Sequence, residues 1–359
     1  MNSFYDLKVA EVCKETDDCV SIVLQPAVDD QSAFQYEAGQ YLTLKTEIEG
    51  SEVRRSYSIC SAPSDPELRV AVKRVPGGLF SHWANANLKA GDTIQSMAPQ
   101  GRFILKADPK AEKNYVAFVA GSGITPVLSQ IREVLKSEPL STFTLFYVNR
   151  ETSTIIFRSQ LQELKDLHMQ QFRMFHLLTQ EPLEAELFHG RLDEERCNRI
   201  LSSNLLDLNS CAGAFLCGPE PMIMACKSAL EAAGLEPEKI HFELFTSATK
   251  KDQAPTVEHA SKATVVAKKL SIVLDGVTTM VEIKGEKSIM DAALDAGLDA
   301  PYSCLGGVCC TCRAKMTKGS VRMDVNYALE ASEVERGFVL TCQSRLEGEG
   351  PFEVDYDQQ

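Results

Sequence analysis

Four cysteines constrain this chain more than any other sequence feature. Cys304, Cys309 and Cys312 lie within nine residues, and Cys342 follows after 29 intervening residues. A C-x4-C-x2-C run with a remote fourth cysteine is typical of [2Fe–2S] clusters, in which thiolates hold the irons. Zinc is the competing metal, but zinc modules usually pair their cysteines in two short knuckles. The spacing therefore favours an iron–sulfur cluster with these four residues as metal ligands.

The remaining cysteines indicate a reducing environment. The chain has twelve cysteines in all, and Cys310 lies inside the short gap of the cluster motif. We predict that Cys310 is not a ligand, because using it would break the spacing. Disulfide scaffolds are short and carry a signal peptide, whereas this sequence is acidic by residue 6 and shows no apolar leader. A reduced, cytoplasmic protein is expected.

Charge and hydropathy exclude two classes of partner. The 359 residues carry 37 Lys and Arg against 50 Asp and Glu, a net charge of −13. Nucleic-acid binding needs a basic face for phosphate, so nucleic acid is not the expected partner. No apolar run approaches the roughly 20 residues that span a bilayer, so no membrane partner is expected.

The periodicity changes twice along the chain. Short β-rich stretches separated by glycine turns predict an antiparallel β-barrel over residues 1–107, with a helix starting near Ser81. Buried strands alternating with helices predict a parallel α/β domain over residues 108–245, including a strand at Tyr115–Ala120 and a helix at Pro126–Lys136. Residues 246–267 read as a linker. Two further strands and a helix at Ser288–Ala296 precede the cysteine cluster in an α+β domain over residues 268–359.

Two motifs in the predicted barrel can hold a cofactor with a phosphate and an aromatic ring. Arg55-Ser-Tyr-Ser58 lies on a predicted strand, where Arg55 offers a charged fork for phosphate and Tyr57 shares its face. Gly77-Gly-Leu-Phe-Ser81 is a glycine turn leading into a helix, a natural pyrophosphate site. Ordinary barrel packing and a simple N-cap at Ser81 are the alternatives.

The α/β domain carries its own phosphate motif. Gly121-Ser-Gly-Ile-Thr-Pro126 follows a buried strand, and Thr125 and Pro126 suit the N-cap and first position of a helix. The usual acidic residue for a ribose is missing, and Arg150 at the end of the next strand either accepts a 2′-phosphate or faces solvent. Cys217-Gly-Pro219 ends a late strand, where open α/β sheets bind ligands, although such a turn can be structural only.

Taken in order, these motifs resemble the ferredoxin–NADP reductase superfamily, and the last 90 residues resemble a plant-type ferredoxin domain. The resemblance covers essentially the whole chain. It implies FAD, with Arg55 at the pyrophosphate, Tyr57 stacked on the flavin ring and Ser58 near its reactive nitrogen. It implies further flavin contacts at Ser56, Val72, Lys73, Gly78 and Ser81, nucleotide contacts at Gly121, Gly123, Thr125, Pro126 and Arg150, Cys217 and Gly218 beside the nicotinamide, and Glu243 and Phe245 near the flavin edge. Tyr57, Ser58, Cys217 and Glu243 are the implied catalytic residues.

The order flavin, nucleotide, C-terminal ferredoxin is similar to reductase components of bacterial multicomponent oxygenases. This similarity implies electron transfer from NADPH or NADH through FAD and the [2Fe–2S] cluster to an oxygenase, with phenylacetyl-CoA epoxidase as the expected acceptor. A Rieske-type hydroxylase such as ketosteroid 9α-hydroxylase, or a different diiron oxygenase, is the competing acceptor. FMN could replace FAD, and a redox-sensing iron–sulfur flavoprotein would carry the same cluster motif.

Overall fold

The computed structural model describes residues 3–203, 205–245 and 267–358, which pack as two compact units. One unit comprises Tyr5–Val53 and Tyr57–Phe245, and the second comprises residues 3–4, Arg54–Ser56 and residues 267–358. Residues 246–266 of the predicted linker lie outside the described residues. Within the described ranges, no helix combines the length and apolar character needed to cross a bilayer.

The first sheet is the predicted antiparallel barrel. Its six strands are β1 (Tyr5–Thr16), β2 (Cys19–Pro26), β3 (Tyr41–Ile48), β4 (Ser51–Ser58), β5 (Leu68–Lys73) and β6 (Thr93–Ser96), in the order β4-β3-β6-β1-β2-β5. Ile59, directly after β4, bridges Val70 of β5 and joins the two ends of that order. Alternate side chains such as Leu7 and Val9 fill the interior, as expected for a strand with one buried face. Helix α1 (Leu79–Asn87) packs against β5.

The second sheet is parallel, as the alternation of strands and helices predicted. Strands β7 (Asn114–Ala120), β8 (Thr142–Asn149), β9 (Phe172–Leu178), β10 (Cys211–Gly218) and β11 (Ile240–Leu244) lie in the order β11-β10-β7-β8-β9. The helices between them are α2 (Ile124–Ser137), α3 (Arg158–Leu167), α4 (Glu194–Leu201) and α5 (Glu220–Ala232). Strand β8 is buried along almost its whole length because helices cover both faces of a parallel sheet.

The barrel and the parallel sheet share one hydrophobic core. Phe103 and Leu105 of the barrel segment belong to the same buried cluster as Val127 and Ile131 of α2. Polar contacts run beside it: the Ser129 hydroxyl donates to a barrel carbonyl at 2.6 Å, and the side-chain amide of Gln130 donates to a second one at 2.8 Å. Residues 5–53 and 57–245 therefore pack around a shared hydrophobic core rather than as two independent domains.

The second unit has the predicted α+β fold, with the mixed sheet of a β-grasp. Strands β12 (Lys268–Leu274), β13 (Val277–Ile283), β14 (Arg313–Lys318), β16 (Phe338–Leu340) and β18 (Phe352–Asp355) lie in the order β13-β12-β18-β14-β16, while β15 (Ser320–Met323) pairs with β17 (Ser344–Glu347). Helix α6 (Ile289–Asp295) starts at a capping box in which the Ser288 hydroxyl accepts from the backbone N–H of Asp291. Helix α7 (Ala331–Glu335) precedes β16.

Candidate flavin, nucleotide and cluster sites

An aromatic stack stands at the end of β4. Tyr57 is half-buried, and its ring lies 5.3 Å from that of Phe80 at an interplanar angle of 36°. Phe80 is fully buried and meets Trp83 edge to face at 5.6 Å. The contact with Phe80 holds the Tyr57 ring by aromatic packing, and an aromatic ring of this kind suits stacking with a planar cofactor ring. Phe80 lies within the glycine motif, but no local pattern in the sequence predicts its contact with the Tyr57 ring.

Helix α1 begins closer to the glycine turn than the sequence suggested. The helix begins at Leu79 with Gly78 as N-cap, so Ser81 lies inside the first turn and is not the N-cap. The Ser81 hydroxyl donates to the Gly78 carbonyl at 3.1 Å and accepts from the Val75 N–H at 3.2 Å. A Cβ at Gly78 would crowd both Ser81 and Val75. The turn thus brings the backbone N–H groups of a helix N-terminus to a glycine surface, which suits a pyrophosphate.

The remaining residues implied for the flavin lie on β4 and β5. Arg55 and Ser56 are half-buried, and the Arg55 guanidinium donates to the Arg54 carbonyl at 2.7 Å. The Val72 side chain lies wholly inside the barrel core, and its carbonyl accepts from the Asn85 amide at 2.9 Å. Lys73 is half-buried, with its ammonium nitrogen 3.6 Å from an Asp18 carboxylate oxygen. Val72 can therefore line a cofactor only through its backbone.

Three implied catalytic residues meet where the barrel touches the parallel sheet. The Ser58 hydroxyl donates to the Glu243 carboxylate at 3.3 Å, and Glu243 of β11 is in register with Cys217 of β10. Desolvation raises the pKa of Glu243 to about 7, although the Ser58 hydrogen bond opposes the rise. Burial, with the Glu243 charge beside it, raises the pKa of the Cys217 thiol well above its usual range. These three side chains thus provide a neutral thiol and a carboxyl group that can carry a proton near neutral pH.

The phosphate loop of the α/β domain is fixed by neighbouring strands. Helix α2 begins at Ile124 with Gly123 as N-cap, so Thr125 and Pro126 are its second and third residues rather than N-cap and first position. The Thr125 hydroxyl donates to the Ser122 carbonyl at 3.0 Å, and the buried Tyr147 hydroxyl donates to the Gly121 carbonyl at 2.9 Å. The sequence does not predict the role of Tyr147, because its contact joins positions 26 residues apart.

Glycines let this loop approach the end of β10. A Cβ at Gly123 would overlap the carbonyl group of Cys217, and Gly218 has a φ of 158° with Met222 and Ala120 close by. Gly121 has a φ of 54° and open space where a Cβ would project, which is the kind of cradle a nucleotide phosphate needs.

Two further implied residues lie at the ends of strands. Arg150 is exposed just after β8, and its carbonyl accepts from the Gln180 N–H at 2.8 Å. Phe245 follows β11 and is 37% exposed. Both side chains are therefore accessible to a ligand at the carboxyl edge of the parallel sheet, where open α/β sheets bind ligands.

The four cysteines of the cluster motif stand as two pairs of thiols. The Cys309 thiol donates to the Cys304 sulfur at 3.1 Å, and the Cys312 thiol donates to Cys342. In the part of the chain that the structure describes, no three His, Cys, Asp or Glu side chains converge on one metal position. The two contacting pairs fit a centre with two irons, each held by two thiolates.

Hydrogen-bond donors surround these sulfurs. The Gly306 N–H donates to the Cys304 sulfur at 3.3 Å, and the Gln343 amide donates to the Cys342 sulfur at 3.3 Å. The Cys309 thiol, with backbone N–H groups of the loop, lowers the pKa of Cys304 to about 6. The donor set favours anionic sulfur, as an iron–sulfur cluster requires.

Cys310 has a hydrogen-bond partner outside the two pairs. Its thiol donates to the Ala328 carbonyl at 3.3 Å, while the sulfurs on either side of it in sequence belong to the two pairs. That Cys310 is not a ligand stays a prediction. The residue between two ligands instead ties the loop to the segment before α7.

Three family models match the chain. An oxidoreductase FAD-binding domain matches residues 7–104, an oxidoreductase NAD-binding domain matches residues 118–228, and a 2Fe-2S iron-sulfur cluster binding domain matches residues 272–347. Each matched range falls inside one of the ranges 1–107, 108–245 and 268–359 predicted from the sequence. The expected cofactors, FAD, a nicotinamide nucleotide and a [2Fe–2S] cluster, are thereby confirmed at the level of the domains.

Relatives match over nearly the whole chain. A subunit of 1,2-phenylacetyl-CoA epoxidase from Escherichia coli K12 is 38% identical, with 99% of each chain covered. The ferredoxin reductase component of 3-ketosteroid-9-alpha-monooxygenase from Mycolicibacterium smegmatis is 33% identical, covering 98% of this chain and 97% of its own. The crystal structure of phthalate dioxygenase reductase has the same fold, with a TM-score of 0.59 at 24% identity over 98% of this chain and 97% of the reductase.

Proposed function

The chain belongs to the ferredoxin–NADP reductase superfamily, among the oxygenase reductases with a C-terminal ferredoxin domain, and on that basis we propose that it passes electrons from NADPH to phenylacetyl-CoA epoxidase in phenylacetate degradation. The observation that carries the acceptor is 38% identity over 99% of the chain to the epoxidase subunit. The chain is an oxidoreductase with FAD-, NAD- and [2Fe–2S]-binding domains.

When bound, FAD would supply the conversion between the two-electron chemistry of a nicotinamide and the one-electron chemistry of a [2Fe–2S] cluster. The residues of this chain position and tune those groups. Tyr57, supported by Phe80, provides a face for the flavin ring, and the N-terminus of α1 at Gly78 binds its pyrophosphate. Arg55 supplies a positive charge suited to phosphate.

The nucleotide binds at the loop Gly121–Pro126, which Tyr147 holds in place. Gly123 and Gly218 keep side chains away from the junction of α2 with β10, so that a nicotinamide can lie against Cys217. The neutral Cys217 thiol adds no charge there.

Two further side chains act on protons and on coenzyme choice in this proposal. Glu243, whose pKa is raised to about 7, can hold a proton near neutral pH, and the Ser58 hydroxyl donates to its carboxyl group at 3.3 Å. The exposed Arg150 is placed to pair with a 2′-phosphate, which would favour NADPH over NADH.

Cys304 and Cys309 hold one iron in this proposal, and Cys312 and Cys342 hold the second. All twelve cysteines, each within the described ranges, are free thiols. Free thiols are the usual state in a reducing compartment, which supports a cytoplasmic location.

Cys312→Ser tests the serial path. We expect this variant to lose the cluster absorption and all transfer to the oxygenase, yet to keep reduction of ferricyanide by NADPH through the flavin. Cys310→Ser is the matched control, because its thiol lies in the same loop but donates to the Ala328 carbonyl rather than to a ligand sulfur. Loss of both activities in a folded Cys312→Ser protein would show that the electrons do not pass in series.

Reconstitution identifies the acceptor. The purified protein is reduced with NADH and with NADPH in separate titrations, with and without purified epoxidase oxygenase, and with a Rieske-type ketosteroid hydroxylase in parallel. The similarity to the ketosteroid monooxygenase component makes that hydroxylase the second candidate. Turnover with the epoxidase alone supports the proposal, turnover with the hydroxylase alone refutes its acceptor, and failure to reduce any acceptor would favour a sensor.

A further inference from the structure

The residue after the fourth cysteine has a position that the proposed electron path does not use. Gln343 is 7% exposed, and its amide nitrogen lies 3.3 Å from the Cys342 sulfur and 2.9 Å from the Leu305 carbonyl oxygen. Cys342 belongs to one thiol pair, and Leu305 directly follows Cys304 of the opposite pair. A single side chain therefore bridges the two halves of the proposed cluster site.

The orientation of this amide is fixed by its neighbours. A cysteine sulfur bound to iron and a backbone carbonyl oxygen are both acceptors, so only the NH₂ end of the glutamine can face them. The two N–H bonds are shared between the two partners, one each. Glycine at 307, with a φ of 75°, leaves space beside this side chain, because a Cβ there would lie 2.9 Å from the Val325 Cγ2 and 3.1 Å from the Gln343 Cγ.

The Gln343 backbone is itself anchored beside the paired strands β15 and β17. Its carbonyl accepts from the Asp324 N–H at 2.9 Å, and the Asp324 carboxylate accepts from the Arg345 side chain at 3.0 Å and from Arg322 at 2.7 Å. Asp324 thus joins two strands, β15 and β17, through charged hydrogen bonds. The amide is presented from a fixed backbone rather than from a free loop.

We infer that Gln343 is a positioning residue that holds the two ligand pairs together and raises the reduction potential of the bound cluster; this inference rests on the proposed ligand set. On reduction the cluster gains one electron, and the added negative charge lies partly on its sulfur atoms. A donor to a ligand sulfur stabilises the reduced state more than the oxidised state. Removing the donor lowers the potential.

The test is a redox titration of the intact protein with dithionite and reference dyes, following the visible and EPR signals of the cluster. In Gln343→Met, which keeps the length but lacks the donor, we expect the equilibrium with the dye to shift about tenfold toward oxidised cluster. Tenfold corresponds to about 59 mV for a one-electron couple. Gln358→Met is the matched control, because Gln358 is exposed near the end of the described chain. Its potential should equal that of the wild type.

A purely structural role would reduce the amount of cluster without moving the potential of the fraction retained. An unchanged potential in Gln343→Met would therefore overturn the inference. If that variant holds no cluster, Gln343→Glu, which keeps the shape and replaces the donor by an acceptor, should show a still lower potential. Loss of all cluster in both variants would leave only the structural role and would also overturn the inference.

The experiment separates this inference from the proposed function. The titration uses neither nucleotide nor oxygenase, so a wrong acceptor does not affect it. Cys342→Ser, titrated in parallel, should lose the wild-type cluster spectrum if Cys342 is a ligand. A Cys342→Ser protein with unchanged cluster would refute the ligand set itself, whereas loss there with an unmoved potential in Gln343→Met would refute only the role of Gln343.

Discussion

At the scale of single residues, Glu243 combines an unusual pKa with a central position. The carboxyl group is desolvated, and the hydrogen bond from the Ser58 hydroxyl does not compensate for the desolvation. The pKa of about 7 means that the folded protein binds a proton there at a pH where the unfolded chain does not. Between the ordinary value of 4.5 and about 7, this group therefore makes stability fall as the pH rises.

Glu243→Gln should remove this dependence. Because the folded state holds more protons than the unfolded state in that window, the wild type loses free energy of unfolding from about pH 5 to about pH 8, and the variant does not lose the share due to Glu243. Urea unfolding at about pH 5 and about pH 8, monitored by the rise in fluorescence as flavin is released, measures the change in the free energy of unfolding.

The control is Glu163→Gln, on an exposed part of α3. It should change the free energy of unfolding little at either pH. If the advantage of Glu243→Gln over the wild type shrinks between the lower and the higher pH, then Glu243 is not held in its protonated form.

Residue-level chemistry was predictable where it is written in local spacing. The four predicted ligand cysteines lie in two contacting pairs, and their assignment as ligands stays a prediction that rests on local spacing. Tyr147 and Gln343 act on groups 26 and 38 residues away in the chain. Neither contact leaves a local pattern, so only the folded arrangement identifies them.

At the scale of elements, α2 and β10 approach each other closely at Gly123, in the proposed nucleotide site. Glycine at 123 allows the helix N-terminus to lie against the Cys217 carbonyl, with no room for a methyl group. The backbone of Gly123 itself is in an ordinary helical conformation, with a φ of −60°. The glycine is required for space rather than for conformational freedom.

Gly123→Ala should force α2 away from β10. Overpacking of this kind costs roughly 1–3 kcal/mol, and the displaced loop should raise the KM for NADPH in the ferricyanide assay. Gly213→Ala on β10 is the matched control, because its Cβ would stand 3.4 Å from the Phe215 ring, an ordinary contact. Equal KM values for both variants would contradict the role given to this approach.

Element boundaries show where sequence reasoning falls short. Both helices behind the glycine turns start earlier than predicted, at Leu79 and Ile124, because glycine N-caps replaced the expected side-chain caps. Strand β1 was not predicted, since charged side chains occupy its exposed positions and only alternate residues such as Leu7 and Val9 are buried. Strand β7 of the parallel sheet, Asn114–Ala120, was predicted to within one residue as Tyr115–Ala120, because burial on both faces gives a continuous apolar run.

At the scale of the whole molecule, charge offers a way to detect docking. Residues 268–359 carry ten Lys and Arg against fifteen Asp and Glu, a net charge of −5. If this unit delivers electrons to a basic patch on the oxygenase, salt should weaken the encounter. We expect the apparent KM for the oxygenase to rise several-fold between low and physiological ionic strength.

The control for this measurement is reduction of the cluster by NADPH within the protein, followed by stopped flow. It needs no encounter between proteins and should change little with salt. An apparent KM for the oxygenase that is constant or falls with salt would exclude an electrostatic docking surface.

The shared core of the barrel and the parallel sheet has a consequence for recombination. The composition change near residue 107 suggests a seam at which natural shuffling or an engineer could exchange nucleotide domains to alter coenzyme choice. However, Phe103 and Leu105 of the barrel pack in the same core as the nucleotide domain, and two barrel carbonyls accept hydrogen bonds from Ser129 and Gln130. These barrel positions therefore belong structurally with the nucleotide domain. A successful domain exchange therefore has to include those barrel positions, so the exchangeable segment is larger than the segment that binds the nucleotide.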